Sequence, residues 1–280
     1  MRNFDGFYKG IDLGGWISQC GKNYNDEHYS TFITEKDIEK IASMGLDHVR
    51  MPVDYNVIQT EDGKLIESGM AYIENCVNWC KKHGLNIVID LHKTCGYIFD
   101  DPTYCGFFAN EKLQDQFVYL WQEIAKRYGN DEHIAFELLN EITSADFTEP
   151  WNKIASRTVK EIRKIASDTK IVIGGIFNSS IYGLTKLDIP WDENIVLTFH
   201  CYNPLVFTHQ GAGWVDRLDK SYRTTFPATA EKLLADSRKY FGEDFDSDFN
   251  GITGMIDSSF FVKMFSDAIN VAKKLDLPLY

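Results

Sequence analysis

Residues 133–142 read HIAFELLNEI, and this stretch decides both the fold and where to look for a site. Its mostly apolar part is the length of one buried strand, and the polar pair Asn140-Glu141 follows where that strand is expected to end. Polar side chains at the tip of a buried strand are unfavourable unless they are hydrogen-bonded. A single carboxylic acid can hold a proton, but acid–base hydrolysis needs a partner for it. If Glu141 is catalytic, a second acidic residue is therefore expected.

Short apolar runs alternate with segments of helical periodicity along the first 200 residues. The expected strands are 8–13, 46–53, 85–91, 133–139, 170–174 and 194–200. Strands that are apolar on both faces and alternate with helices are typical of a parallel sheet covered by helices. The first turn carries Gly14-Gly15-Trp16 rather than GxGxxG, and no Walker loop occurs, which disfavours a nucleotide-binding open sheet. We therefore predict an α/β fold, a (β/α)8 barrel.

The alternation stops after the sixth strand. Residues 204–258 show no clear strand–helix unit but many aromatic residues, so we predict an inserted subdomain within one catalytic barrel of 1–280. One amphipathic helix is expected at 260–272, and the final LDLPLY is typical of the start of a seventh strand. The rest of strands seven and eight is missing from the chain, which favours a truncated sequence, because a closed barrel cannot lose two strands.

Composition argues against several classes of protein. The 29 basic and 41 acidic residues give a net charge of −12, so nucleic acid is not an expected partner. No run of 18 apolar residues predicts a membrane span, and the N-terminus has no signal core, which leaves the cytoplasm or secretion after leader removal open. Six cysteines without a CxxC predict free thiols. We expect a monomer without a metal or other cofactor.

Polar residues lie at or near the ends of four of the six expected strands. They are Arg50, Asp90, His92, Asn140, Glu141, His200 and Tyr202. Each has an ordinary explanation, such as an arginine that pairs with a buried carboxylate or a histidine that is merely structural. The active site of a β/α barrel lies at the C-terminal ends of its strands, here called the barrel mouth. Gathered there, these residues predict an active site.

The chain resembles the clan A family 5 glycoside hydrolases, the endoglucanase and mannanase barrels. The matching stretches are GIDLGGW at 10–16, DHVRMPVDY at 47–55, IDLH at 89–92, AFELLNE at 135–141 and TFHCYNP at 198–204. They lie on five strands in the family's order, and the likeness covers essentially the whole chain. Within the family, the chain resembles clostridial-type endoglucanases with lichenase activity, which carry a subdomain after strand six.

The resemblance implies a role for each matching residue. Glu141 matches the general acid/base, Asn140 the residue that binds the 2-hydroxyl of the cleaved sugar, and Arg50 the arginine that orders the catalytic carboxylates. His92, His200 and Tyr202 match the ring around the cleaved bond. Tyr97, Phe99, His209 and Trp214 are expected to line the cleft.

The second acid is expected outside the sequence. In the family the nucleophile is a glutamate at the end of strand seven, which would come just after Tyr280. An internal acid, Asp54, Asp90 or Glu137, is the less favoured alternative, because catalytic residues belong at strand ends.

The resemblance implies retaining, double-displacement hydrolysis of internal β-1,4 bonds in β-glucans, either cellulose-type or mixed-linkage β-1,3-1,4-glucan. This chemistry needs two carboxyl groups about 5–5.5 Å apart, one of them protonated. Glu141 would need a pKa raised by burial or by a neighbouring negative charge. A β-mannanase on the same barrel and a carbohydrate-binding barrel without catalysis are the alternatives. A zinc hydrolase using His92, His200 and Glu141 is less favoured, since no HxH or HExxH pair occurs.

Overall fold

The computed structural model describes residues 1–280, which divide into two compact units. The first unit comprises 1–199 and 271–280, and the second comprises 200–270. The predicted inserted subdomain, 204–258, falls inside the second unit.

A six-stranded parallel sheet forms the centre of the first unit. Its strands are β1 (Gly10–Asp12), β2 (His48–Asp54), β3 (Asn86–Lys93), β4 (Ile134–Glu137), β5 (Lys170–Gly174) and β6 (Ile195–Thr198). They lie side by side in chain order, and every neighbouring pair is parallel. This is the strand order of a β/α barrel, so the predicted fold class is confirmed.

The final residues of the chain extend the sheet beyond β6. Leu279 forms a parallel bridge with Leu197, and the Tyr280 N–H donates to the Leu197 carbonyl at 2.7 Å. The prediction that LDLPLY starts a seventh strand is therefore confirmed.

Helices connect the strands of the first unit. They are α1 (Asp26–Thr31), α2 (Glu35–Ser43), α3 (Tyr55–Ile58), α4 (Glu67–His83), α5 (Glu111–Tyr128), α6 (Thr148–Arg163) and the single turns α7 (Ile176–Ser179) and α8 (Ile181–Leu184). Two buried tryptophans anchor α5 and α6 to the sheet. The indole N–H of Trp121 on α5 donates to the Leu138 carbonyl, and that of Trp151 on α6 donates to the Gly174 carbonyl, both at 3.0 Å.

Successive side chains of each strand point to opposite faces of the sheet. The lower part of the inner face carries an apolar cluster, next to the buried His48 of β2. There Val88, Ala135, Val172 and Val196 pack with Phe4 and Phe7. Two residues further along β3 and β4, the same face carries Asp90 and Glu137. The expectation of strands that are apolar on both faces is therefore wrong for this upper part, because charged groups there pair with one another.

The second unit has a hydrophobic core of its own. Its helices are α9 (Leu205–Thr208), α10 (Ala230–Phe241), α11 (Ser258–Met264) and the first half of α12 (Ser266–Leu275). The buried core consists of Val206, Leu218, Ala228, Ala230, Leu233, Phe241, Phe249, Ile256 and Phe260. The single helix predicted for 260–272 is instead two helices, α11 and α12, that are separated at Phe265.

Two further expectations concern the whole chain. None of the helices combines the length and the apolar character that crossing a membrane requires. All six cysteines are free thiols, as predicted. Burial raises the pKa of the Cys20 thiol to about 11.

Candidate active site

Arg50 lies at the centre of a charged layer on the inner face of the sheet, formed with Asp12, Asp90 and Glu137. Its side chain is 13% exposed. It holds Glu137 with two parallel hydrogen bonds, Nε to Oε2 at 2.7 Å and Nη2 to Oε1 at 2.8 Å. Nη2 also lies 2.9 Å from Asp90 Oδ2, and Nη1 donates to Asp12 Oδ1 at 3.0 Å. The planar guanidinium suits this arrangement, because its fork of donors matches carboxylate geometry.

The charged layer holds more negative than positive charge. Desolvation opposes the charge on Arg50, but the carboxylates of Asp90 and Glu137 outweigh it and raise the pKa of Arg50. Burial raises the pKa of Asp90, because its desolvation outweighs the attraction of Arg50. Both internal acids are thus held by Arg50 inside the sheet. Asp54 is also buried, and it accepts hydrogen bonds from Ser18 and Tyr24. These contacts weigh against an internal second acid.

Asn140 is oriented by the charged layer. Its Oδ1 accepts from Arg50 Nη2 at 2.9 Å, and its backbone N–H donates to the Leu91 carbonyl. A guanidinium has only donors, so the oxygen of the Asn140 amide must face it and the NH2 group must face away. The amide is 2% exposed, and its donors are thereby directed by the protein rather than by solvent.

His92 is buried at the end of β3. Its Nδ1 lies 2.6 Å from Asp90 Oδ2, the oxygen that also pairs with Arg50. A carboxylate oxygen only accepts, so Nδ1 is the donor in this contact and Nε2 is not engaged by Asp90. The edge of the Phe99 ring meets the imidazole, with ring centroids 5.1 Å apart. No group of three or more His, Cys, Asp or Glu side chains is arranged to hold a metal ion.

Glu141 is half-buried just beyond the end of β4. Its Oε2 accepts a hydrogen bond from Asn178 Nδ2 at 2.8 Å. Tyr97 supports the main chain below it: the phenol donates to the Glu141 carbonyl at 2.6 Å and accepts from the Thr143 N–H at 3.0 Å. Tyr97 is 2% exposed, so it lies beneath this segment rather than lining a cleft as the sequence suggested. Its burial among apolar rings raises its pKa and excludes it from contact with a sugar.

The remaining predicted site residues belong to the second unit. Tyr202, His209 and Trp214 form an aromatic row: the first two ring centroids are 5.1 Å apart, and the last two are 6.5 Å apart. Tyr202 is 54% exposed and Trp214 is 79% exposed. Desolvation lowers the pKa of His209. His200 is half-buried in the same unit.

Sequence reasoning overlooked Asn178, because β5 ends in Gly174 without a polar residue at its tip. The available signal was an asparagine in the turn GGIFNSS at 174–180, since asparagine is enriched in left-handed turns. The sequence offered the pairing of Arg50 with a buried carboxylate as an ordinary explanation, but it did not identify Asp90 and Glu137 as the partners.

Comparison with known proteins identifies the family. The model of the family described as cellulase (glycosyl hydrolase family 5) matches residues 13–259. Cellodextrinase A of Ruminococcus flavefaciens is 42% identical over 278 residues, which is 98% of this chain and 74% of that protein. Endoglucanase C of Acetivibrio thermocellus is 46% identical over 231 residues, 81% of this chain and 67% of that protein.

Solved structures agree with this assignment. Endoglucanase Cel5A from the hyperthermophilic Thermotoga maritima aligns with a TM-score of 0.68 at 25% identity, covering 98% of this chain and 89% of that one. The alignment extends over both units of the chain, while the family match includes β2 to β6 and Glu141. The chain therefore belongs to the cellulase family, glycosyl hydrolase family 5, and is a glycoside hydrolase.

Proposed function

We propose that the protein hydrolyses internal β-1,4 bonds of β-glucans, cellulose-type or mixed-linkage, with retention at the anomeric carbon. The observation that carries this proposal is the half-buried Glu141 carboxylate beyond β4, next to an Asn140 amide whose direction Arg50 sets. The names of the relatives, an endoglucanase and a cellodextrinase, support a β-glucan as the substrate. We further propose that the protein acts as a monomer, without nucleic acid or membrane as a partner.

Glu141 acts first as an acid and then as a base. In the first step its carboxylic acid gives a proton to the leaving glycosidic oxygen, while an ionised carboxylate attacks the anomeric carbon and the C–O bond breaks. In the second step the Glu141 carboxylate takes a proton from the attacking water, and the bond between sugar and nucleophile breaks. We place the nucleophile at the end of the seventh strand, whose residues 278–280 pair with β6.

Asn140 and His92 hold the sugar next to Glu141. Because Arg50 occupies the Asn140 oxygen, the NH2 group is the part of the amide that can meet a 2-hydroxyl. A donor aimed in advance at a hydroxyl strengthens binding in the transition state without reorganisation. His92 offers Nε2 as an acceptor, since Asp90 holds Nδ1.

The aromatic row of Tyr202, His209 and Trp214 supplies apolar surface for sugar rings. An indole that is 79% exposed leaves a large apolar area in water, which is unfavourable unless a ligand covers it. The flat faces of sugar rings match such aromatic rings. His200 is proposed as part of the same binding surface.

Polysaccharide hydrolysis and chemical rescue test the proposal together. Initial rates of reducing-sugar release are measured on mixed-linkage glucan, carboxymethylcellulose and mannan, with the glucans expected to be cleaved fastest. The Glu141→Ala variant is then assayed on an aryl β-cellobioside, whose leaving group needs no protonation. Sodium azide should restore turnover on this substrate and yield the β-glycosyl azide, because a small anion can enter the space the carboxyl group vacates and attack the glycosyl-enzyme.

Three results would overturn parts of the proposal. Preferential cleavage of mannan would replace the substrate with the β-mannanase alternative. Binding of glucan without any release of reducing sugar would favour the carbohydrate-binding alternative. Wild-type turnover in the Glu141→Ala variant would remove Glu141 from the mechanism.

A further inference from the structure

The turn after β5 contains three consecutive side-chain-bearing residues in the left-handed conformation. The φ angles of Phe177, Asn178 and Ser179 are 54°, 56° and 54°. This conformation brings the Cβ atom of an L-residue close to its backbone carbonyl, so such residues usually occur singly. A strained run persists only where the surrounding structure holds it, and such runs are concentrated at functional sites.

Close packing on both sides holds this left-handed turn in place. Ser179 is fully buried, and a Cβ atom on Gly174 would lie 2.5 Å from its Oγ. At the other end, a Cβ atom on Gly175 would lie 2.2 Å from the carbonyl carbon of Gly183. Only glycine fits at these two positions, and their close contacts allow the turn little freedom.

The turn is also joined directly to the segment that carries Glu141. The backbone N–H of Asn178 donates to the Ile142 carbonyl at 2.9 Å, and Ser179 Oγ donates to the Asn140 carbonyl at 3.4 Å. These bonds reach the residues on either side of Glu141. The Asn178 side chain then donates from Nδ2 to Glu141 Oε2 at 2.8 Å.

We propose that Asn178 is a positioning residue for Glu141, held by the left-handed turn so that its amide N–H is aimed at Oε2. This inference rests on the acid/base role proposed for Glu141. A carboxylate has no donor, so the NH2 group of the amide must face it.

A neutral donor suits a residue that has to work in two protonation states. The N–H stabilises the ionised form of Glu141, which the second step needs as its base. It carries no charge, so it opposes protonation less than a lysine or arginine in its place would. Asn178 thus fixes the direction of the carboxyl group and favours its ionised form.

The pH dependence of kcat/KM separates this role from a purely structural one. The Asn178→Gly variant removes the amide but keeps a residue that adopts positive φ without strain. We expect its alkaline limb to move to higher pH by about half to one unit, because one hydrogen bond to the ionised form is lost. We also expect kcat to fall about tenfold, with KM changed less. The Asn178→Asp variant should move the limb further, since a like charge then faces Glu141.

Phe177→Gly is the matched control. It relieves the same backbone strain one residue earlier, and the structure shows the Phe177 ring beside Tyr182. We expect this variant to melt no lower than the wild type and to leave the alkaline limb in place. A shift of the limb in Phe177→Gly as large as in Asn178→Gly would assign the effect to the backbone and overturn the proposal.

The Glu141→Gln variant distinguishes failure of this inference from failure of the proposed function. If Glu141→Gln is inactive and both Asn178 variants keep the wild-type limb, the positioning role is wrong and the proposed function stands. If Glu141→Gln retains wild-type turnover, the proposed function is wrong and the positioning role falls with it.

Discussion

Glu137 and Glu141 lie four residues apart on one stretch of chain, yet they have opposite surroundings. Glu137, within β4, is 1% exposed, and two parallel hydrogen bonds from Arg50 hold its carboxylate. Glu141, beyond the strand, is half-buried and accepts a hydrogen bond from the neutral amide of Asn178.

This difference separates a carboxylate that stabilises the sheet, Glu137, from a carboxylate for which we propose a catalytic role, Glu141. A guanidinium beside a carboxylate strongly favours the ionised form, so such a carboxylate serves poorly as a proton donor. A neutral amide directs a carboxyl group but lets its proton exchange. The layer around Arg50 is therefore structural, whereas the proposed mechanism assigns the transferred proton to Glu141, beyond the strand.

The largest effect is expected on turnover, from a substitution at Glu141. The Glu141→Gln substitution removes the transferable proton while keeping nearly the same shape. We expect turnover on β-glucan to fall by roughly 10³-fold or more, with the melting temperature close to that of the wild type. Reducing-sugar assays and thermal unfolding measure both. Unfolding of the variant at room temperature would contradict the view that this carboxylate is chemical rather than structural.

The matching substitution inside the sheet, Glu137→Gln, should lower the free energy of unfolding. It removes the bidentate partner of Arg50, which then keeps only Asp12 and Asp90 as charged partners. We expect a loss of about 1.5–3 kcal/mol, the usual contribution of a hydrogen bond to a charged group. Urea unfolding measures the loss. Glu149→Gln is the control, because its ion pair with Lys153 is exposed and should contribute nothing measurable. Equal stability of the two variants would remove the distinction between the carboxylates.

Substitution of Trp214, which lies beside neither carboxylate, should affect only the binding of substrate. Trp214 is exposed and belongs to the second unit, so Trp214→Ala should leave folding and kcat unchanged. We expect KM for glucan to rise several-fold, because stacking on an aromatic ring contributes about 0.5–1.5 kcal/mol. Steady-state kinetics on soluble mixed-linkage glucan measure this. An unchanged KM would exclude Trp214 from the sugar-binding surface.

The smallest effect is expected at Asp90, in how the free energy of unfolding depends on pH. Burial raises the folded-state pKa of Asp90 above its unfolded value of about 3.9. The stabilising contribution of this carboxyl group is therefore present below that value and is lost as the pH rises through the folded-state pKa. Asp90→Asn should thus gain stability relative to the wild type between pH 4 and pH 7. Urea unfolding of both proteins at pH 4 and pH 7 gives the difference in their free energies of unfolding. If Asp90→Asn loses stability relative to the wild type as the pH rises, the attraction of Arg50 outweighs burial at Asp90.

Much of the fold and part of the site could be predicted from the sequence. Local apolar patterning predicted the six strands and the final strand start to within a few residues, because burial leaves a local pattern along the chain. The position of Asn140-Glu141 at a strand end has the same origin. The catalytic and sugar-binding roles assigned to the site residues stay predictions, those of Glu141, Asn140, Arg50, His92, His200, Tyr202, His209 and Trp214 alike.

Only the tertiary structure decided which charges meet. The partners of Arg50 come from β1, β3 and β4, so their pairing depends on strand register rather than on neighbouring residues. Asn178 reaches Glu141 through a left-handed turn that no periodicity marks, and Tyr97 lies beneath the Glu141 segment because loop packing placed it there. The sequence by itself determined the strands and the carboxylate at the mouth, since burial acts locally along the chain. The hydrogen bonds that direct this carboxylate join residues far apart in sequence, and only folding brings them together.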